Sequence, residues 1–282
     1  MRPSPEASVM GGSVLLRDAS ELSVPEAAPY WALRFGTAAC FIGHGAFGLI
    51  TKSAWLPYFA VVGIPARWAW KLMPLVGAVD VLAGMAVLFA PTRLPLVYMA
   101  VWALWTALLR PLAGESVFEA MERAGNYGVP LAMLLWVGVP RTWRALVDDT
   151  LARSRSAADP ASIRRVLQCT TCSLLAGHGA LAVLGKPLLA SHYAFIGMPS
   201  SMAAFAGWFE IALAVLVAIR PSVALLAFVV VWKVWSESLY LVTGALVWEF
   251  VERGGSYAAP AALAAMLAFR ARPRGLAQRA AY

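Results

Sequence analysis

The chain has 282 residues, a formal net charge of +8, 61% hydrophobic residues, only 13% charged ones and a mean hydropathy of +0.69. Soluble domains carry about 25% charged residues, so this composition excludes an ordinary soluble enzyme and points to a membrane protein. The positive charge is not a nucleic-acid signature, because the arginines gather at the ends of apolar stretches, where they set membrane orientation.

Residues 1–29 hold Pro3, Pro5, Pro25, Gly11 and Gly12, with no apolar core long enough for a secretory signal. They read as a flexible N-terminal tail. A bilayer-crossing helix needs about 20 apolar residues. Eight stretches come close, at 31–51, 72–90, 93–112, 126–140, 166–186, 203–220, 221–242 and 256–271. The fourth and eighth are short, so their starts reach back toward residues 124 and 254. Segments 52–70 and 187–202 are aromatic and read as lying along the membrane surface. Segments 115–124 and 245–254 are too polar to span and too apolar for loops, which is the pattern of interfacial or re-entrant helices.

The same order of elements occurs twice. Gly43-His44-Gly45-Ala46 recurs as Gly177-His178-Gly179-Ala180, and the same offset joins Lys52 to Lys186 and Pro65 to Pro199. After a four-residue difference, Asp80 aligns with Glu210, Trp102 with Trp232, Glu119 with Glu249, Glu122 with Glu252, Arg123 with Arg253 and Gly125 with Gly255. Self-similarity of this kind decides the fold reading. The expectation is an all-α polytopic membrane protein. Its eight transmembrane helices form two parallel-related four-helix bundles, with short interfacial helices. The repeats cover 30–140 and 166–271, joined by a basic linker at 141–165 and followed by a basic tail at 272–282. An even number of spans per repeat gives both the same orientation. Arg141, Arg144, Arg164, Arg165, Arg272 and Arg274 then fall on one side with both termini. The positive-inside rule makes that side cytoplasmic, in a cell (inner) membrane.

Ionisable residues within spans are costly and mark functional sites. His44 and His178 lie in the first and fifth spans, and Asp80 and Glu210 midway along the second and sixth. Flanking glycines let a helix or a ligand approach. Lys52 and Lys186 follow about two turns after the histidines. In the amphipathic segments, Glu119 and Arg123, and Glu249 and Arg253, are spaced for i, i+4 ion pairs, which leaves Glu122 and Glu252 to find other partners. These twelve residues are the expected ligand-binding or buried polar network. Within each half, Lys52 is expected near Asp80, Glu119 or Glu122, and Lys186 near Glu210, Glu249 or Glu252. The plainer reading is architectural, each acid holding helices of its own half together. Gly125 and Gly255 suit helix stops. The Trp102/Trp105 and Trp232/Trp235 pairs read as packing. Lys233 and Glu237 stand where the first half has Ala103 and Ala107, and Arg110 faces Tyr240, so the halves are not expected to keep equivalent sites. Cys169-x-x-Cys172 has no copy in the first half and reads as small apolar side chains. No metal site and no catalytic residue is assigned.

The run from Gly43-His44-Gly45-Ala46 to Lys52, the turns Gly63-Ile64-Pro65 and Gly197-Met198-Pro199, and the acids of Gly77-x-x-Asp80 and Gly207-x-x-Glu210 together resemble the DoxX-like family of four-helix integral membrane proteins. The resemblance implies two fused copies, over 30–140 and 166–271. It also implies membrane redox partnerships, since the family includes the small subunit of a thiosulfate:quinone oxidoreductase. The Gly-His-Gly-Ala and Glu-x-x-Glu-Arg-x-Gly-x-Tyr elements have no role assigned by that resemblance.

The leading functional expectation is a redox-associated membrane subunit. It would bind a quinone-type or other apolar ligand in an outward-facing intramembrane site, in partnership with the lipid bilayer and a membrane or periplasmic redox protein. A neutral histidine can hydrogen-bond a quinone oxygen, and nearby acids can pass protons. The alternatives are a small-molecule transporter or binding protein, and a structural partner without activity of its own. A haem bridged by His44 and His178 ranks below a quinone as a cofactor expectation.

Overall fold

The computed structural model describes residues 24–89, 92–147 and 159–270. The expected N-terminal tail up to residue 23, the middle of the linker at 148–158 and the tail from 271 lie outside them. The described residues are helical, with no strands among them. The first half holds α1 (Val24–Leu49), a single 3₁₀ turn (Ser53–Trp55), α2 (Leu56–Val61), α3 (Ala66–Phe89), α4 (Arg93–Leu112), α5 (Val117–Glu122) and α6 (Ala124–Val137). A short α7 (Arg144–Val147) follows. The second half holds α8 (Pro160–Val183), α9 (Pro187–Phe195), α10 (Met202–Ile219), α11 (Val223–Val242), α12 (Val247–Val251) and α13 (Gly254–Arg270).

Local chemistry explains these limits. Asp159 caps α8 by accepting from the Ala161 amide, ahead of Pro160 in the first turn, and Ser116 caps α5 by accepting from Phe118. The turns after α2 and α9 place Gly63 and Gly197 at φ +77°, a conformation that side chains resist.

Among the described residues, five helices are long and apolar enough to cross a bilayer: α3, α4, α8, α10 and α11. A sixth crossing is made if α1 is counted together with the segment Ser53–Val61, which is bent from it by 99°. Helix α6 is apolar but has only 14 residues, about 21 Å at 1.5 Å per residue. Helix α13 has 17. Short α5 and α12 precede them, so each polar segment takes up chain that a full-length span would use. Large apolar side chains point outward from the long helices, among them Leu82, Val101, Phe205, Ile219 and Val231. Arg34, Asp80, Glu210, Lys233 and Glu237 are buried within. Polar groups inside and apolar groups outside are what a lipid solvent demands.

The expectation of two four-helix bundles meets a different packing. Each first helix lies along the acid-bearing helix of its own half, α1 on α3 and α8 on α10, but the last helix of each half packs on the first helix of the other: α13 on α1, and α6 on α8. An apolar core shared by the halves results, with Leu33, Phe41, Met99 and Met133 of the first joined to Leu174, Leu175, Leu213 and Leu263 of the second. Glycines set the close approaches. A Cβ on Gly45 would fall 2.6 Å from the Gly77 oxygen, and one on Gly179 2.5 Å from the Gly207 oxygen. A Cβ on Gly43 would fall 2.3 Å from the Glu252 nitrogen, and one on Gly177 2.3 Å from the Glu122 nitrogen. Gly125 and Gly255 are not helix stops. They lie inside α6 and α13 and touch each other, a Cβ on Gly125 falling 2.6 Å from the Gly255 carbonyl carbon.

At the opposite end from α5 and α12, fully buried Arg34 donates from Nε to the Val87 oxygen (3.0 Å) and from Nη2 to the Leu88 oxygen (2.9 Å). These are late carbonyls of α3, which lack helical partners. In the second half, Gln168 donates to the Val217 and Ala218 oxygens at 2.9 and 3.0 Å. Both side chains close the end of the acid-bearing helix, a task the sequence reading did not assign.

Candidate functional site

Glycine contacts bring α1 against α3, and this sets His44 beside Asp80. His44 Nδ1 lies 2.8 Å from Asp80 Oδ2, and the Tyr98 hydroxyl donates to Oδ1 at 2.6 Å. The carboxylate is fully buried. A carboxylate can only accept, so a bond from His44 to an Asp80 carboxylate uses Nδ1–H and keeps Nε2 for another partner. The ring stacks on Trp55 with centroids 4.6 Å apart. In the second half His178 Nδ1 lies 2.6 Å from Glu210 Oε2, and Trp232 Nε1 donates to Oε1 at 2.7 Å.

The lysines depart from expectation. Lys52 meets Glu249 at 2.6 Å, and Lys186 meets Glu119 at 2.7 Å and Glu122 at 3.5 Å. Each lysine therefore pairs with the other half, not with its own. The cause is the packing of α13 on α1 and of α6 on α8, which carries the charged segments α12 and α5 across. The expected i, i+4 pairs do form, Arg123 with Glu119 at 3.1 Å and Arg253 with Glu249 at 2.9 Å. Arg123 also reaches Glu122, and Arg253 reaches Glu252, both at 3.2 Å. Burial would raise the Glu249 carboxyl, but the Arg253 and Lys52 charges outweigh it and hold it down to about 2. Burial pushes the Tyr58 phenol up to about 12 despite Arg110 beside it, so it stays a hydroxyl and donates to Glu115. Arg110 in turn donates to the Tyr58 oxygen at 2.8 Å and meets Glu115 at 3.2 Å.

A cavity of about 350 Å³ opens beside His44. Its walls include Trp55, Tyr58, Phe59, Trp102 and Trp105, with Lys52, Arg110, Arg123 and Glu252. Trp102 and Trp105 thus line a cavity, where packing was the expectation. Trp102 Nε1 is buried without an acceptor. Its counterpart bonds Glu210, whereas here the acid is one methylene shorter and Tyr98 occupies its outer oxygen. Beside His178 the corresponding space is only about 10 Å³. Lys233, which stands where the first half has Ala103, meets Glu210 at 3.4 Å and Glu237 at 2.8 Å. Glu237 also meets Arg253 at 2.8 Å. The two halves are therefore unlike, as their sequences imply.

The two histidines are bound to separate acids and line separate cavities, so the structure does not bring them together as a haem-bridging pair. Among the described residues, no group of three or more His, Cys, Asp or Glu side chains is placed to hold a metal ion. Cys169 and Cys172 are both free thiols, Cys169 exposed. Sequence reasoning missed Trp55, Tyr98 and Glu115 and gave no site role to Tyr58 or Arg110. None of these five is repeated in the second half.

No family model, no curated protein and no solved structure matches this chain.

Proposed function

We propose that this chain is an eight-span inner-membrane protein made by duplication of a DoxX-like four-helix unit, with both termini cytoplasmic. Its function is to bind a quinone-type ligand in the first-half cavity. The observation that carries this reading is His44, held from behind by Asp80 and through it by Tyr98, in the wall of an aromatic cavity of about 350 Å³, within the usual range for small-molecule sites. Aromatic walls suit a flat ring, and His44 Nε2 suits a ligand oxygen or its proton. Reduction of a quinone to a quinol takes two electrons and two protons. A membrane or periplasmic redox partner supplies the electrons, and the His44–Asp80 pair handles protons. The cavity lies at the end of the bundle bearing α2 and α5, opposite the basic linker, and so faces outward. The reciprocal contacts of Gly43 and Gly177, and of Lys52 and Lys186, support the duplication.

The test is a titration of the purified protein with a short-chain ubiquinone analogue, read by quenching of tryptophan fluorescence. Saturable quenching, weakened at least about tenfold in His44→Ala by loss of one buried hydrogen bond, is the expected result. Absence of saturable quenching in the unmodified protein rejects the reading. For orientation, an impermeant thiol reagent applied outside should label cysteines placed at Ser116 and Ala245 but not at Ser154.

A further inference from the structure

The charge lining the cavity is one-sided. Lys52, Arg110 and Arg123 reach its wall, against the single carboxylate of Glu252. The acids that balance these cations, Glu249, Glu115, Glu119 and Glu122, do not line it. The hydrogen bonds and ion pairs of Arg110 and Arg123 all run through Nη1. A guanidinium has five N–H donors in a fixed fork, so Nε and Nη2 of both arginines remain to meet a ligand. The small second-half space has no lysine or arginine in its wall, and Tyr240 stands in the place of Arg110. Of the two spaces beside the histidines, the open one has the cationic lining and the small one does not, so the lining is not a general consequence of the repeated fold.

Resting on the quinone reading above, we propose that the ligand carries an oxyanion on its ring, as a hydroxylated quinone ionised at neutral pH does. The aromatic walls hold the ring. Arg110 and Arg123 donate to the oxyanion, and the carboxylates behind them hold the guanidiniums in place. Charge-assisted bonds from a guanidinium are among the strong ones, and a partly dry site strengthens them further. His44 Nε2 is left for the ligand's neutral oxygens.

Two ligands with the same ring system decide the matter: 1,4-naphthoquinone, and 2-hydroxy-1,4-naphthoquinone as its anion, each titrated against the purified full chain. The anion is expected to bind at least about tenfold more tightly, the effect of one hydrogen bond to a charged group. Arg110→Gln should bring the two affinities closer by weakening the anion more than the neutral quinone, since only the anion makes a charged bond. Arg110→Lys should keep part of the preference. Equal affinities in the unmodified protein, or a preference for the neutral ligand, overturn the proposal, and this comparison needs no variant to fold. Binding of the neutral quinone alone leaves the quinone reading standing and removes the oxyanion. Binding of neither removes both.

Discussion

Lys52 Nζ lies 2.6 Å from Glu249 Oε1, although 197 residues separate them. The reciprocal contact joins Lys186 to Glu119 at 2.7 Å. The two contacts clamp the halves together at the end that carries the cavity. Removing one member leaves the other charged and poorly solvated, which costs more than removing both. Glu249→Ala leaves Lys52 without its carboxylate and should lower stability by about 1–3 kcal/mol. Adding Lys52→Ala should restore part of the loss. Thermal unfolding in detergent measures both, and a double variant less stable than either single one would contradict a direct pair.

The same contact sets a pH dependence. The Glu249 carboxyl is held down to about 2 from an ordinary 4.5. A depressed carboxyl contributes stability above its unfolded value and loses it as the pH falls through the folded one. The stability advantage of the unmodified protein over Glu249→Gln should be constant above about pH 5 and fade between 4.5 and 2. An advantage that grows on acidification would reverse the sign and remove the argument.

Gly125 and Gly255 supply a substitution with an inverted outcome. Replacing glycine by alanine inside a helix ordinarily gains about 0.5–1 kcal/mol. Here the new Cβ on Gly125 would fall 2.6 Å from the Gly255 carbonyl carbon, and backbone cannot swing aside as a side chain can. Gly125→Ala should instead destabilise by about 1–3 kcal/mol, the range of overpacked cores. An unchanged or raised melting temperature would show that α6 and α13 do not cross at this point.

The arginine that closes α3 should be replaceable by the residue that closes α10. Gln168 holds two late carbonyls at 2.9 and 3.0 Å, as Arg34 does. Arg34→Gln should therefore be mild. Arg34→Leu strips two carbonyl oxygens of their donor in an apolar setting, at about 1–3 kcal/mol each. Equal losses for the two variants would mean that Arg34 acts through its charge and not through these bonds.

Much of this architecture was legible in the sequence, and its limits follow from what repetition can encode. The long helices end within about three residues of the apolar limits, but α1, α3 and α8 begin six or seven residues before them, because the more polar chain ahead of each apolar run is helical too. The acids and histidines shared by both halves proved to be contact points, as did Gly43, Gly45, Gly77 and Gly125 with their copies, whereas Gly63 and Gly114 with theirs serve turns at positive φ. Which half each lysine would meet was not legible, because α5 and α12 carry the same Glu-x-x-Glu-Arg element and either offers an equivalent partner. Only the packing of α13 on α1 and of α6 on α8 decides. Most of the cavity was invisible for a related reason. Repetition marks what the halves share, whereas Trp55, Tyr58, Tyr98 and Arg110 belong to the first half alone. A related signal was a difference, the alanines at 103 and 107 opposite Lys233 and Glu237, which implied unequal sites without implying a cavity.

That difference gives the last prediction. In the second half Lys233 fills the space beside the acid, held by Glu210 and Glu237, and Glu237 is held in turn by Arg253. In the first half every partner for such a pair is already present. Asp80 stands at the place of Glu210, Arg123 stands at the place of Arg253, and the wall at Ala103 faces the cavity. The double variant Ala103→Lys, Ala107→Glu should close the cavity with a self-paired charge, abolish binding of the short-chain quinone analogue and leave the melting temperature within a few degrees, because the new ions pair as they enter. Ala103→Lys alone should cost more stability, because its charge has only Asp80 to share. Full binding by the double variant, with the fold intact, would mean that the ligand does not occupy the space beside His44.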